Sequence, residues 1–233
     1  MNPRSLLGSL LEAFRFLLPT LLGASSRVPS RGAAALFFPI CGVALGAVLL
    51  LVDRSLGGAA THGAALAEVV VFLLLTGATH ERALYRIVAS RARNPAFVWL
   101  PGAVVFLCLA ARFVCYATLE ARRQEAFLFA PLLGRWAMVV SAYGNAVRPS
   151  EHASFVRGIG FSEFGWASVL ACAVVFHVWE AFGIFLVTVL AAATVGLRWI
   201  LRRLGGVDPE GLLAAGTFVE ILALGIVRIA PGT

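Results

Sequence analysis

The sequence predicts an all-α, polytopic integral membrane bundle. It forms one domain over residues 1–233, with about six to seven transmembrane helices plus an N-terminal interfacial helix. Three observations point there. Of the 233 residues, 60% are hydrophobic and only 13% are charged, whereas a soluble domain carries about 25% charged residues. Mean hydropathy is +0.90, as expected of a chain that lives in lipid. All 19 basic residues are arginines, gathered mainly in the polar stretches between apolar runs, where they meet water and anionic headgroups.

The elements follow in order. Residues 5–22 are rich in leucine and phenylalanine but carry Glu12 and Arg15 three apart. The charges interrupt a signal-peptide core, and no clear Ala-x-Ala site follows, so an interfacial or re-entrant helix fits better. The first full span is Ala33–Val52, twenty residues without a charge, closed by Asp53-Arg54. A second runs over about 59–79 and contains His62 and Glu68; Glu68 suits either an internal cavity or a packed helix interface. The stretch Thr76–Pro95 is the longest polar interruption and reads as a loop holding His80, Glu81, Arg82, Arg86, Arg91 and Arg93. Further spans are read at about 97–118 with Arg112, 126–147 with Arg135, 164–176, 181–197 and 212–229. Glu120 falls in a polar turn, and His177, Trp179 and Glu180 mark the break between the fifth and sixth spans.

Arginine asymmetry sets the orientation. The N-terminal segment and the 80–96, 148–163 and 198–211 loops collect most of the arginines, which predicts that they are cytoplasmic. The net charge of +7 follows from the same bias, so no nucleic-acid partner is expected. Cys41, Cys108, Cys115 and Cys172 lie in apolar runs without a C-x-x-C pair, as small buried hydrophobes do.

Chemistry concentrates in a few residues. A guanidinium deep in an apolar span needs a partner or water. Arg135 therefore reads either as an anion ligand or as a structural pair with Glu68 or a backbone carbonyl. Arg112 lies nearer a span end, where a snorkelling side chain is an alternative. His80-Glu81 suits a base or metal ligand, or a solvated helix start. Position 84 is Leu84, which excludes His-Glu-x-x-His. The absence of lysine excludes a P-loop and a Schiff base, and no Gly-x-Ser-x-Gly occurs. Asp208 and Glu210 could hold Mg²⁺; Asp208 before Pro209 also fits a helix N-cap with proline in the first turn.

Several segments together resemble the cobalamin (5′-phosphate) synthases, the adenosylcobinamide-GDP ribazoletransferases. They are Phe37-Phe38-Pro39-Ile40-Cys41-Gly42, Leu75-Thr76-Gly77 with His80, Leu132-Leu133-Gly134-Arg135-Trp136-Ala137-Met138-Val139, the Arg148-Pro149 loop, and Arg202-Arg203-Leu204-Gly205-Gly206. The resemblance implies a multi-pass bacterial inner-membrane enzyme of late cobalamin biosynthesis with its functional loops in the cytoplasm. It would join α-ribazole or its 5′-phosphate to adenosylcobinamide-GDP, releasing GMP with Mg²⁺. Its partners would be a corrinoid or nucleotide-type small molecule, the lipid bilayer, and a second copy of itself or other cobalamin-assembly membrane proteins. On this resemblance His80, Glu81, Asp208 and Glu210 are the catalytic candidates. Arg135, Arg82, Arg86 and Arg148 would bind substrate phosphates, and Glu81, Asp208 and Glu210 would hold the metal.

One motif departs. The aspartates of the family's first loop fall on Arg82, Arg86 and Ala89, which would repel a metal ion rather than bind it. Three readings stay open: a divergent transferase, a catalytically silent paralogue that binds a corrinoid, nucleotide or other anionic amphiphile, and a small membrane transporter with Arg135 in its path. A CDP-alcohol phosphotransferase fits less well, since its chain of spaced aspartates is also missing.

Overall fold

The computed structural model describes residues 3–23, 27–57, 61–91, 94–119, 122–178 and 180–229. Arg93, Glu120 and Trp179, named above, lie outside them. The described residues form ten α-helices: α1 Pro3–Leu17, α2 Phe38–Ser55, α3 His62–Thr76, α4 Thr79–Ala89, α5 Leu100–Thr118, α6 Arg123–Ala142, α7 Ala153–Arg157, α8 Phe161–Val178, α9 Glu180–Arg203 and α10 Pro209–Ile229. Five segments are long and apolar enough to cross a membrane: Gly32–Ser55, Leu100–Thr118, Arg123–Ala142, Phe182–Arg203 and Pro209–Ile229. A sixth is counted if α3 and α4, bent by 80°, form one broken span. The chain is a multi-pass, all-α membrane protein.

Helix α6 is the axis of the bundle, packed most closely by α2 and α10. Small residues permit the close approach. A Cβ built on Gly46 would lie 2.4 Å from the Phe127 carbonyl oxygen, and one on Gly134 would lie 2.8 Å from that of Gly216. Neither position has room for alanine unless the backbones separate. Among the helices long enough to span, α6 is therefore the most enclosed, while α5 and α9 turn most of their surface outward.

Helix α1 lies against the bundle by one face. Ala13, Phe16, Leu17 and Leu18 are buried, and Leu7 and Leu11 are exposed. Phe16, Phe38 and Phe155 pack as three rings with centroids 5.8 to 6.1 Å apart. The Glu12 carboxylate accepts from the Ser30 amide at 3.1 Å and its hydroxyl at 2.7 Å, which ties the following segment to α1.

Most of the Thr76–Pro95 stretch, expected from its charges to be a loop, is helix: Thr79–Ala89 forms α4. Thr61 caps α3 by accepting from the Ala64 amide at 3.1 Å, and α3 ends at Gly77 with φ 58°. Ala78 follows with φ 51°, a left-handed conformation rare outside glycine. These two residues make the bend, and the chain re-enters a helix at once. Helix α4 packs on α10 and α5, burying Thr79, His80, Glu81 and Ala83 and exposing Arg82, Arg86 and Tyr85.

Candidate functional site

An open cleft of about 470 Å³ lies beside α4. Thr79, Arg82, Ala83 and Arg86 form one wall; Asp208, Pro209, Glu210 and Leu213 at the start of α10 form another. Ser150, Glu151 and His152 from the loop after α6 contribute to the lining, with Phe16 and Val28.

The α10 wall is fixed by local chemistry. Asp208 Oδ1 accepts from the Gly211 amide at 2.7 Å, and Pro209 opens the helix, the N-cap expected from sequence. Asp208 Oδ2 accepts from Arg148 Nη1 at 2.9 Å, and Arg148 Nη2 donates to the Leu204 carbonyl at 2.9 Å. Val147 and Val207 form an isolated parallel bridge, with the Arg148 amide donating to Val207 at 2.9 Å and the Val207 amide to Ala146 at 2.7 Å. Arg198 and Arg202 donate to the Gly144 carbonyl, each at 2.8 Å. Arg148, Arg198 and Arg202 thus hold the two loops together.

The α4 wall is looser. Arg82 Nη2 donates to the Gly77 carbonyl at 2.6 Å, and its Nε to Ala78 at 3.3 Å, capping the end of α3 across the bend. Arg86 Nη1 donates to Glu210 Oε1 at 2.9 Å, with side chains 67% and 38% exposed. The Arg148–Asp208 pair is less exposed, at 33% and 14%.

Behind the cleft wall lies a second polar cluster, closed to solvent. Glu220 on α10 bridges Arg112 of α5 and Arg135 of α6, one carboxylate oxygen to each. The Arg112 guanidinium stands 3.6 Å over the Phe72 ring, and that of Arg135 is 5.8 Å from it, adding cation–π attraction in a desolvated site. His80 Nε2 is 3.3 Å from Arg135 Nη2; its Nδ1 is 3.4 Å from both the Leu213 carbonyl and the Thr217 hydroxyl.

This cluster corrects several expectations. Arg135 does not line the open cleft; it is fully buried and held by Glu220, not by Glu68. Arg112 does not snorkel; it is buried and paired with Glu220 in the core. His80 and Glu81 are not a solvated helix start, since the bend at Gly77-Ala78 turns both into the bundle. Neither lines the cleft, which leaves Asp208 and Glu210 as the predicted acids on its wall, joined there by Glu151. Glu68 sits at a packed interface, with Asp53, on the Arg123 guanidinium. Arg123 also donates to the Tyr116 and Leu119 carbonyls, at 2.5 and 3.3 Å. Sequence reasoning missed Glu220. Its signal was available: a lone acid inside the last apolar span.

The residues present do not fit the Mg²⁺ that the resemblance implies. A bound divalent ion needs several oxygen donors converging on one point. No group of three or more His, Cys, Asp or Glu side chains is so placed among the described residues. Asp208 is engaged by Gly211 and Arg148, Glu210 by Arg86, and Glu81 is buried away from both.

The comparisons agree with the motif resemblance. Residues 101–227 match the CobS family profile, described as cobalamin-5-phosphate synthase. The adenosylcobinamide-GDP ribazoletransferase of Pseudomonas fluorescens is 28% identical over 243 aligned positions, covering 90% of this chain and 93% of that protein. That of Pseudomonas aeruginosa is 28% identical over 250, covering 94% and 95%. No solved structure matches.

Proposed function

Because the chain belongs to the cobalamin-5-phosphate synthase family, we propose that it works in late cobalamin assembly, with the cleft between α4 and α10 as its substrate site. The cleft would seat the diphosphate of adenosylcobinamide-GDP, the compound in its relatives' name. A ribazole hydroxyl would attack the phosphorus on the corrinoid side. The phosphoanhydride bond breaks, GMP leaves with the bonding electrons, and the hydroxyl proton passes to a carboxylate. Of the two predicted wall acids, Glu210 has the more exposed, more easily exchanged partner. The carrying observation is the pair Arg82 and Arg86, one helical turn apart on the cleft wall, since guanidiniums match phosphate oxygens in charge and geometry.

A second reading, a binder without turnover, is favoured by one feature: the wall carboxylates Asp208 and Glu210 are each held by an arginine. The assay that separates the two supplies adenosylcobinamide-GDP and α-ribazole, with and without Mg²⁺, to the purified protein. GMP release supports the transferase. Saturable binding without GMP supports the binder, and the absence of both binding and GMP release overturns both readings.

We also place the cleft on the cytoplasmic side of a bacterial inner membrane, on the arginine asymmetry. A Ser90→Cys variant without the native cysteines should resist an impermeant thiol reagent applied from outside. Labelling there would reverse the orientation.

A further inference from the structure

Glu210 engages one of the two cleft-wall arginines. Its carboxylate sits on Arg86 Nη1 across the cleft, in a pair whose arginine is largely in water and whose carboxylate is partly so. A pair of that kind has little net stability, because both ions keep much of their hydration and lose rotamer freedom. The neighbouring Asp208 is different: an amide and an arginine hold its two oxygens, and it is more deeply set. Arg82 is anchored only by backbone carbonyls among its hydrogen bonds. Side chains four apart on a helix are neighbours, so Arg82 and Arg86 can grip one diphosphate.

We propose that the cleft recognises a diphosphate directly through Arg82 and Arg86, without a divalent metal, and that Glu210 is an internal competitor which the ligand displaces from Arg86. This rests on the substrate site argued above, and deepens it. It inverts what a metal site requires. A carboxylate that ligates Mg²⁺ helps to hold a diphosphate, and removing it weakens binding. A carboxylate that competes for the guanidinium does the reverse.

The experiment measures binding of GDP and of inorganic pyrophosphate to the full chain in detergent micelles, with EDTA and then with excess Mg²⁺. Binding in EDTA is expected, weakened roughly tenfold by Arg86→Gln, since one charge-assisted contact is lost. Arg82→Gln should act similarly. Glu210→Gln should tighten binding severalfold. Arg82 and Arg86 are exposed and Glu210 is partly so, and a melting curve for each variant shows whether it is folded. Binding that needs Mg²⁺, or that Glu210→Gln weakens, overturns the competitor and leaves the substrate site standing. Absence of binding under both conditions overturns the substrate site with it.

Discussion

The cleft and the cluster behind it use the same chemistry to opposite ends. Each pairs arginines with carboxylates across α10. In the cluster, Glu220, Arg112 and Arg135 are all out of water. In the cleft, Arg86 is mostly in it and Glu210 partly so. Burial makes the first set indispensable once formed, because a lone charge left behind there has no solvent. Exposure makes the second exchangeable, because water takes up whatever a partner releases. The first is therefore structure, and the second is available for a ligand. Helix α4 joins them, with His80 facing one and Arg82 and Arg86 facing the other.

The largest effect should come from Glu220. Glu220→Ala strands two guanidiniums in the core and should cost about 3–5 kcal/mol of stability, read as a loss of folded protein in a denaturant titration in mixed micelles. Replacing all three charges, as Arg112→Met, Arg135→Met and Glu220→Leu, should recover most of that loss. A small effect from Glu220→Ala would show that the cluster is hydrated, and the contrast with the cleft would fail.

Next is Arg123, near the start of α6 and thus at the far end of that helix from the cleft. Its guanidinium serves Asp53 and Glu68 together. Arg123→Gln should cost about 3 kcal/mol in the same titration. Glu68→Gln should cost less, since Asp53 stays paired. The reverse ranking would mean that Glu68, not Arg123, organises this end.

Which of these regions was legible beforehand follows from their physics. The apolar runs announced the spans, and Asp208-Pro209 announced the cap, because both are set by neighbours in sequence. The charges of the polar stretch at 76–95 suggest a loop, although Ala83, Leu84, Ile87 and Val88 give it the apolar face of a helix. The left-handed turn that aims this helix falls on Gly77 and Ala78, and a lone glycine followed by an alanine is a weak turn signal. Arg135 was legible as a residue that needs a partner, and Glu220 was visible as an acid in an apolar run. That the two meet depends on α6 and α10 packing through Gly134 and Gly216, which no local pattern encodes. The exchangeable nature of Arg86–Glu210 depends on exposure, and only the fold reveals it.

The cleft pair should move stability little. Arg86→Gln and Glu210→Gln should each change it by less than about 1 kcal/mol, while shifting diphosphate affinity in opposite directions. A stability loss comparable with that of Glu220→Ala would place this pair with the structural ones.

The smallest effect tests the bend that separates the two regions. Ala78 has φ 51°, and a left-handed alanine costs roughly 1–2 kcal/mol relative to the right-handed conformation. Glycine escapes that cost but loses more backbone freedom on folding, by about 0.4–1 kcal/mol. The strain exceeds the entropy by a modest margin, so Ala78→Gly should stabilise the protein by roughly 0.5 kcal/mol. Arg82 donates to the carbonyls of Gly77 and Ala78, so the bend is held from the cleft side as well. A relaxed bend should leave diphosphate affinity near that of the parent chain, because Arg82 keeps both acceptors. Destabilisation would show that the surrounding helices hold Ala78 without strain. A large fall in affinity at unchanged stability would show that the alanine fixes the angle of α4, and with it the placement of Arg82 and Arg86.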